Sequence, residues 1–232
     1  MSCNLPWKRT FPHWYHKNVC RILGIRVHIT GYIDPKKPSF LIANHASWLD
    51  ITTLSAVAPV SFIAKKEVAS WPFFSWLAKL QRSIFIDRTR RTSTKHSTNE
   101  ILERLQQGDN VVLFAEGTSS DGNQVLPFKT ALFATVENCN ANEIAIQTLT
   151  VAYTSKNGIP LGRAGRPHVA WYGDMGMIGH LWSVFCGGPL DIKVHISPPI
   201  EANLCKKRKE LAHHAELAVR SNLAKLLIGK PL

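Results

Sequence analysis

The chain has 232 residues, 45% of them hydrophobic, and its 28 Lys and Arg exceed 16 Asp and Glu to give a formal net charge of +12. That length supports one large α/β domain or two small ones with a real core, and the basic excess points to an anionic partner: nucleic acid, a membrane leaflet or an acidic substrate. The five cysteines are scattered without a Cys-x-x-Cys pair, which argues against a disulfide framework or a zinc site and fits a reducing cytoplasm. No apolar run reaches the roughly eighteen residues of a spanning helix, and the N-terminus has no signal-type apolar core, so any membrane contact is expected from the surface.

Residues 1–24 read as an amphipathic membrane-contact segment. Trp7, Phe11, Trp14, Tyr15, Val19, Ile22 and Leu23 recur at helical spacing, while Lys8, Arg9, His13, His16, Lys17 and Arg21 fill the other face. Indole rings opposite cations suit a headgroup interface, although a terminal helix packed on the core would show the same spacing. Pro12 predicts an interruption or restart, and Gly24 a helix end ahead of a strand from Arg26 to Thr30.

Phe40-Leu41-Ile42-Ala43 is a four-residue β-type run, and it ends as Asn44-His45-Ala46-Ser47-Trp48-Leu49-Asp50 begins. Ser47 followed three places on by Asp50, ahead of Ile51, Leu54 and Val57, is an N-cap signature that predicts a helix from Trp48. Within one helix, residues five apart point about 140° away from each other and could not meet. With His45 before the cap and Asp50 in the first turn, the carboxylate can fold back to the imidazole, accept its Nδ1 proton and leave Nε2 free to take a proton from a hydroxyl. On this heptapeptide alone, a helix-capping aspartate beside a polar loop histidine is an equal reading.

Further strands are predicted at Val60–Ala64 and at Ser83–Arg88, the second ending in the charged pair Asp87-Arg88. Between them, Ser70–Leu80 carries four aromatics in six positions, either a core helix or a wall for something greasy. A helix through Ile101, Leu102 and Leu105 closes at Gly108. Val111–Ala115 is too apolar to face solvent on either side and opens into Glu116-Gly117-Thr118-Ser119-Ser120, where a glycine and hydroxyls could seat an anion, though such a loop is also ordinary turn chemistry. Then come Pro127-Phe128-Lys129, a helix from Thr130 to about Glu137, strands at Ile144–Ala152, His168–Trp171 and Asp191–Ile196, and a basic helix over Leu204–Ile228 with Leu211, Ala215, Val219, Leu223, Leu226 and Leu227 along one side. The remaining histidines lack ligand spacing, so no metal is expected. No repeat or linker is visible, and 25–232 reads as a single domain.

Three predicted strand ends thus carry polar groups in chain order, and the ordered set resembles the glycerolipid acyltransferase family, in particular the bacterial 1-acylglycerol-3-phosphate acyltransferases. The first block is matched as Asn44 to Asp50, the second as Ile84 to Arg88, the third as Phe114 to Ser120 followed by Phe128-Lys129, and the fourth loosely as Leu149 to Ala152, without its proline. The resemblance spans roughly 25 to 200. It implies an α/β fold, a mixed, mostly parallel sheet flanked by helices, and His45 as the base that deprotonates a lysolipid hydroxyl, with Asp50 orienting it. Arg88, Glu116, Gly117 and Thr118 are implied in holding the acceptor headgroup, with Lys129 as an added phosphate contact. The donor would be acyl carrier protein or CoA thioester, no cofactor is called for, and the enzyme would work on an anionic membrane surface at the cytoplasmic face, in phospholipid biosynthesis.

Two departures bear on the acceptor. Ala115 replaces the usual proline, and Ser119 replaces an arginine that would help bind a phosphate. With Arg88 and Lys129 still present, lysophosphatidic acid is placed first, and lyso-ornithine lipid, whose headgroup is an amino acid in place of phosphate, is the alternative. A thioesterase using the same base is a third reading. A nucleic-acid partner is not expected, because no interleaving of cations and aromatics marks a reader module.

Overall fold

The computed structural model of the chain describes residues 7–66, 69, 74–86, 91–137, 143–201 and 207–232. Five strands run parallel in the spatial order β6 (Ala145–Lys156), β2 (Ser39–Ala43), β5 (Asn110–Phe114), β3 (Val60–Lys65) and β4 (Ile84–Ile86). Beyond β6 the sheet becomes mixed: β8 (Leu190–Ile196) is antiparallel to β6, β1 (Ile25–Thr30) is parallel to β8, and the two-residue β7 (Ile159–Pro160) folds back on the end of β6. This is the mixed, mostly parallel sheet that the family resemblance implies.

The central strand β2 is buried from end to end because both its faces are covered. Alternation sends Phe40 and Ile42 into one core, shared with Ile101 and Leu105 of α4 (Arg91–Gln106), Val136 of α5 (Ala134–Glu137) and Leu211, Ala215, Val219 and Leu223 of α7 (Arg208–Leu227). Leu41 and Ala43 face the other core, with Cys20 of α1 (Trp7–Ile22) and Leu49 and Leu54 of α2 (Leu49–Val57). Two further helices, α3 (Phe74–Leu80) and α6 (Met177–Phe185), complete the set of seven among the described residues.

Several elements differ from expectation for identifiable reasons. Helix α1 runs through Pro12 without a break. Its buried stripe is Pro12, His16 and Cys20, so His16 lies inside while Trp14 and Ile22 face outward. His16 is tolerated there because its Nδ1 sits 3.0 Å from the Pro12 carbonyl and 2.9 Å from the Ser55 hydroxyl, and burial pulls its pKa down to about 4. Residues 168–171, predicted as a strand, are the end of a 3-10 turn at Arg166–His168 and the irregular chain after it, and α6 is a helix that sequence reading does not anticipate. The helix predicted from Thr130 divides into a 3-10 turn (Thr130–Phe133) and the short α5. Strand β6 continues four residues past Ala152, where Asp191 ties the far side of the sheet together through Arg26, His28 and Ser155; the Arg26 guanidinium holds its carboxyl well below the usual carboxylate range.

Candidate active site

Parallel pairing places Ala43, the last residue of β2, opposite Phe114, the last residue of β5, so the two loops that follow leave the sheet side by side. Asn44 continues the ladder with its side chain: its amide donates to the Val151 carbonyl at 2.9 Å and its oxygen accepts from the Val151 N–H at 2.8 Å. That clamp fixes where the chain leaves β2, and His45 is the next residue.

Helix α2 begins at Leu49, one residue later than predicted, and no side chain at its N-cap Trp48 closes the first turn. The carboxylate of Asp50, inside the helix, instead ties down the loop ahead of it. Its Oδ2 accepts from the backbone N–H of Ala46 at 2.7 Å and of Ser47 at 3.0 Å, and lies 2.8 Å from His45 Nδ1. Its Oδ1 accepts the phenolic O–H of Tyr153 at 2.5 Å. Four donors satisfy a carboxylate that is 0% exposed, which is what allows a charge to be seated there. Because a carboxylate can only accept, His45 Nδ1 carries the proton and Nε2 is the acceptor nitrogen. Among the described residues no group hydrogen-bonds Nε2, and the imidazole is partly exposed. Its ring stacks on Phe114 with centroids 4.0 Å apart, and Phe114 stacks on Phe62. The imidazole is therefore fixed in plane by Asp50 and in tilt by Phe114, with one basic nitrogen unsatisfied.

Glu116 reaches this site in an unexpected way. It is 1% exposed, and its two oxygens accept the N–H of His45 and of Leu126, each at 2.7 Å. Burial pushes its carboxyl up to about 8, against the opposing pull of those two amides and of Arg220. The side chain thus braces the His45 loop against the 117–129 loop, which leaves neither oxygen turned toward a headgroup. The same loop is held at further points: the Ser120 N–H donates to the His45 carbonyl at 2.9 Å, the Lys129 N–H to the Ala115 carbonyl at 2.8 Å, and the Phe128 N–H to Glu216 of α7 at 2.8 Å. Gly122 turns there at φ +80°, and an added Cβ would lie 3.8 Å from that of Ala46, so the loop tip packs against the histidine loop.

Of the other predicted residues, Gly117 is half-buried with φ +74°, and Thr118 and Lys129 are exposed beside it. Arg88 and Asp87 lie outside the described residues; β4, which leads to them, stands three strands from β2, or about 14 Å at 4.8 Å per strand. Ala115 donates its N–H to the Ala43 carbonyl at 3.2 Å, a bond that the family's proline could not make. Sequence reading missed Tyr153, although a tyrosine in so apolar a strand needs a partner for its hydroxyl. Burial and the Asp50 charge raise its pKa well above the ordinary value, so it remains a donor. Also missed was Arg166, half-buried beside Gly122, with its guanidinium donating to Asn123 at 2.6 Å.

The family model described as Acyltransferase matches residues 24–154. The chain is 44% identical over 230 residues to the lyso-ornithine lipid O-acyltransferase of Brucella abortus, covering 97% of this chain and 86% of that protein. It is 40% identical over 227 residues to the protein of the same name from Rhizobium meliloti, covering 96% of this chain and 78% of that protein. Against the 1-acyl-sn-glycerol-3-phosphate acyltransferase of Neisseria gonorrhoeae the identity is 34% over 204 residues, 87% of this chain and 75% of that protein. In fold it is similar to the crystal structure of the 1-acyl-sn-glycerophosphate acyltransferase PlsC from Thermotoga maritima, with a TM-score of 0.69 at 20% identity, over 94% of this chain and 78% of that one.

Proposed function

Because this chain belongs to the acyltransferase family, we propose that it moves a fatty acyl group from an acyl carrier protein or CoA thioester to the free hydroxyl of a lyso-ornithine lipid. The observation that carries the chemistry is the imidazole held through Nδ1 by Asp50, with Nε2 unsatisfied at the end of β2. In the proposed step Nε2 takes the proton of the lysolipid hydroxyl as its oxygen attacks the thioester carbonyl. Asp50 stabilises the imidazolium that forms, and the C–S bond breaks as that proton passes to the departing sulfur. Stacking on Phe114 favours the same cation.

The choice of acceptor reverses the order that the sequence motifs favour. The relatives at 44% and 40% identity are both named for lyso-ornithine lipid, while one named for 1-acyl-sn-glycerol-3-phosphate stands at 34%. Ser119 agrees with that order, since a missing guanidinium removes a bidentate phosphate partner. Lysophosphatidic acid is the second reading, supported by the exposed Lys129 next to the Glu116 loop. In both readings Thr118 and Lys129, with Arg88 from the β4 end, contact the headgroup, while Gly117 shapes the loop and Glu116 holds it in place. We propose the cytoplasmic membrane face as the place of the reaction. Among the described residues no helix is long and apolar enough to cross a membrane.

The test is transfer by the purified enzyme from one acyl-ACP to each acceptor in turn. A kcat/KM for lyso-ornithine lipid about tenfold or more above that for lysophosphatidic acid is expected. The reverse ratio selects the second reading, and thioester cleavage that proceeds equally without either acceptor would make the protein a thioesterase.

A further inference from the structure

Helix α6 is built the wrong way round for a helix packed on a core. Its sequence Met177–Phe185 has no acidic residue, lysine or arginine, and none occurs between Asp174 and Asp191. Yet its most exposed side chains are apolar: Ile178 at 84%, Trp182 at 72% and Phe185 at 61%, with Met175 just ahead of the helix also exposed. Positions 178, 182 and 185 follow the i, i+4, i+7 spacing of one helical face, so they form a continuous stripe turned to solvent. The buried side of the helix carries His180, a polar residue. A greasy outer face on a helix anchored by a polar inner residue marks an interaction surface.

The inner side ties α6 to the active site. Trp48, three residues after His45, donates its indole N–H to His180 Nδ1 at 2.9 Å, and the two rings meet edge to face. The segment leading into α6 is fixed to the same loop by the Trp171 N–H, which donates to the Ala46 carbonyl at 2.8 Å. Whatever covers the outer stripe is thereby held beside His45.

We propose that the Ile178–Trp182–Phe185 face of α6 is the surface on which this enzyme docks to an anionic lipid bilayer, with its active site against the interface. The proposal rests on the lipid acyl-transfer reading above and adds where the membrane is met. Charge complementarity favours this occupant. Lys156 lies against Gly187 just past the end of α6, close enough that a Cβ there would be 2.7 Å from its Nζ, and no Asp or Glu stands between Asp174 and Asp191 to oppose an anionic surface. The chain as a whole carries a net charge of +12. A tryptophan and a phenylalanine over such a base suit the headgroup and acyl boundary. A second copy fits less well, because four side chains offer on the order of 500 Å², short of the roughly 800 Å² per partner of a stable dimer. The surface also differs from α1, whose His16 and Cys20 are turned inward onto α2 while Trp14 and Ile22 of the apolar face that the sequence singles out are exposed.

The experiment is co-flotation of the full chain with vesicles of phosphatidylglycerol and phosphatidylcholine, comparing wild type with the triple variant Ile178→Ser, Trp182→Ser, Phe185→Ser. The partition coefficient is expected to fall about tenfold or more. Transfer to a short-chain lysolipid kept below its micelle concentration is expected to stay within about twofold of wild type, since the three side chains lie outside the catalytic loop. Undiminished flotation overturns the proposal. So does unchanged flotation together with loss of a dimer in sedimentation velocity, which would assign the stripe to a second copy. If the triple variant no longer unfolds cooperatively, Trp182→Ser alone is measured, and a weakened partition is again required. His45→Ala is run alongside: it is expected to float like wild type without transferring acyl groups. An active His45→Ala would sink the catalytic reading while leaving the docking result standing.

Discussion

At the scale of single residues the site is a chain of three side chains, Tyr153 to Asp50 to His45, in which each fixes the next. His45→Ala removes the base and is expected to lower kcat by about 10² to 10⁴, with a stability loss of about 1 to 3 kcal/mol because it also takes one of the four donors from the buried Asp50 carboxylate. Wild-type turnover in that variant would remove His45 from the mechanism. Tyr153→Phe deletes only the hydroxyl that donates to Asp50 Oδ1, so one lone pair of a fully buried carboxylate loses its donor. A stability loss of about 1 to 3 kcal/mol is expected, with kcat falling and the pH profile of kcat displaced while KM for the acceptor holds. Destabilisation without any change in the pH profile would reduce Tyr153 to a packing residue.

At the scale of elements the decisive unit is the pair of loops that follow β2 and β5. Their strands pair in register, and Glu116 then links the loops through two backbone amides. Glu116→Gln keeps the size but has one carbonyl oxygen for two N–H groups, so one amide is left facing an NH2, at a cost of about 1 to 3 kcal/mol. Lower kcat with little change in the acceptor KM is the expected kinetic signature of a brace; a rise in KM alone would instead indicate contact with the headgroup. The pH dependence has a definite sign. The fold raises the Glu116 pKa from 4.5 to about 8, so it favours the protonated acid. Stability from this group is fully present below about 4.5 and declines as pH rises toward 8. Since glutamine does not titrate, the stability gap between wild type and Glu116→Gln should narrow over that window when followed by chemical denaturation at a series of pH values.

At the scale of the whole molecule the sheet separates two cores, and α7 closes one of them while reaching the active site from behind. Its Leu223 is buried in the core beneath the sheet, and about two turns earlier Glu216 accepts the Phe128 N–H of the site loop. Leu223→Ala should cost about 2 to 5 kcal/mol and lower the thermal midpoint by several degrees. Because the cavity lies on the far side of the sheet from His45, the kcat of the folded fraction is expected to stay near wild type. A specific loss of activity at full stability would mean that α7 acts on the site through the Glu216 contact and not through global packing.

The amphipathic periods and strand-ending polar blocks were sufficient to read the sheet apart from the false strand at 168–171 and the two-residue β7, the buried stripe of α7 and the pairing of His45 with Asp50, because each depends on residues close in sequence. What the sequence could not settle was anything set by partners far along the chain. Tyr153 stands 103 residues from Asp50, and only the β2–β6 pairing brings its hydroxyl to the carboxylate. Glu116 reads as a polar residue open to a ligand until the fold surrounds it with the amides of His45 and Leu126. The inward histidine of α1 and the outward apolar face of α6 are likewise matters of which side a helix docks. A sequence states how greasy each face is, but hydrogen-bond partners supplied by other elements, Ser55 for His16 and Trp48 for His180, decide which face is turned in.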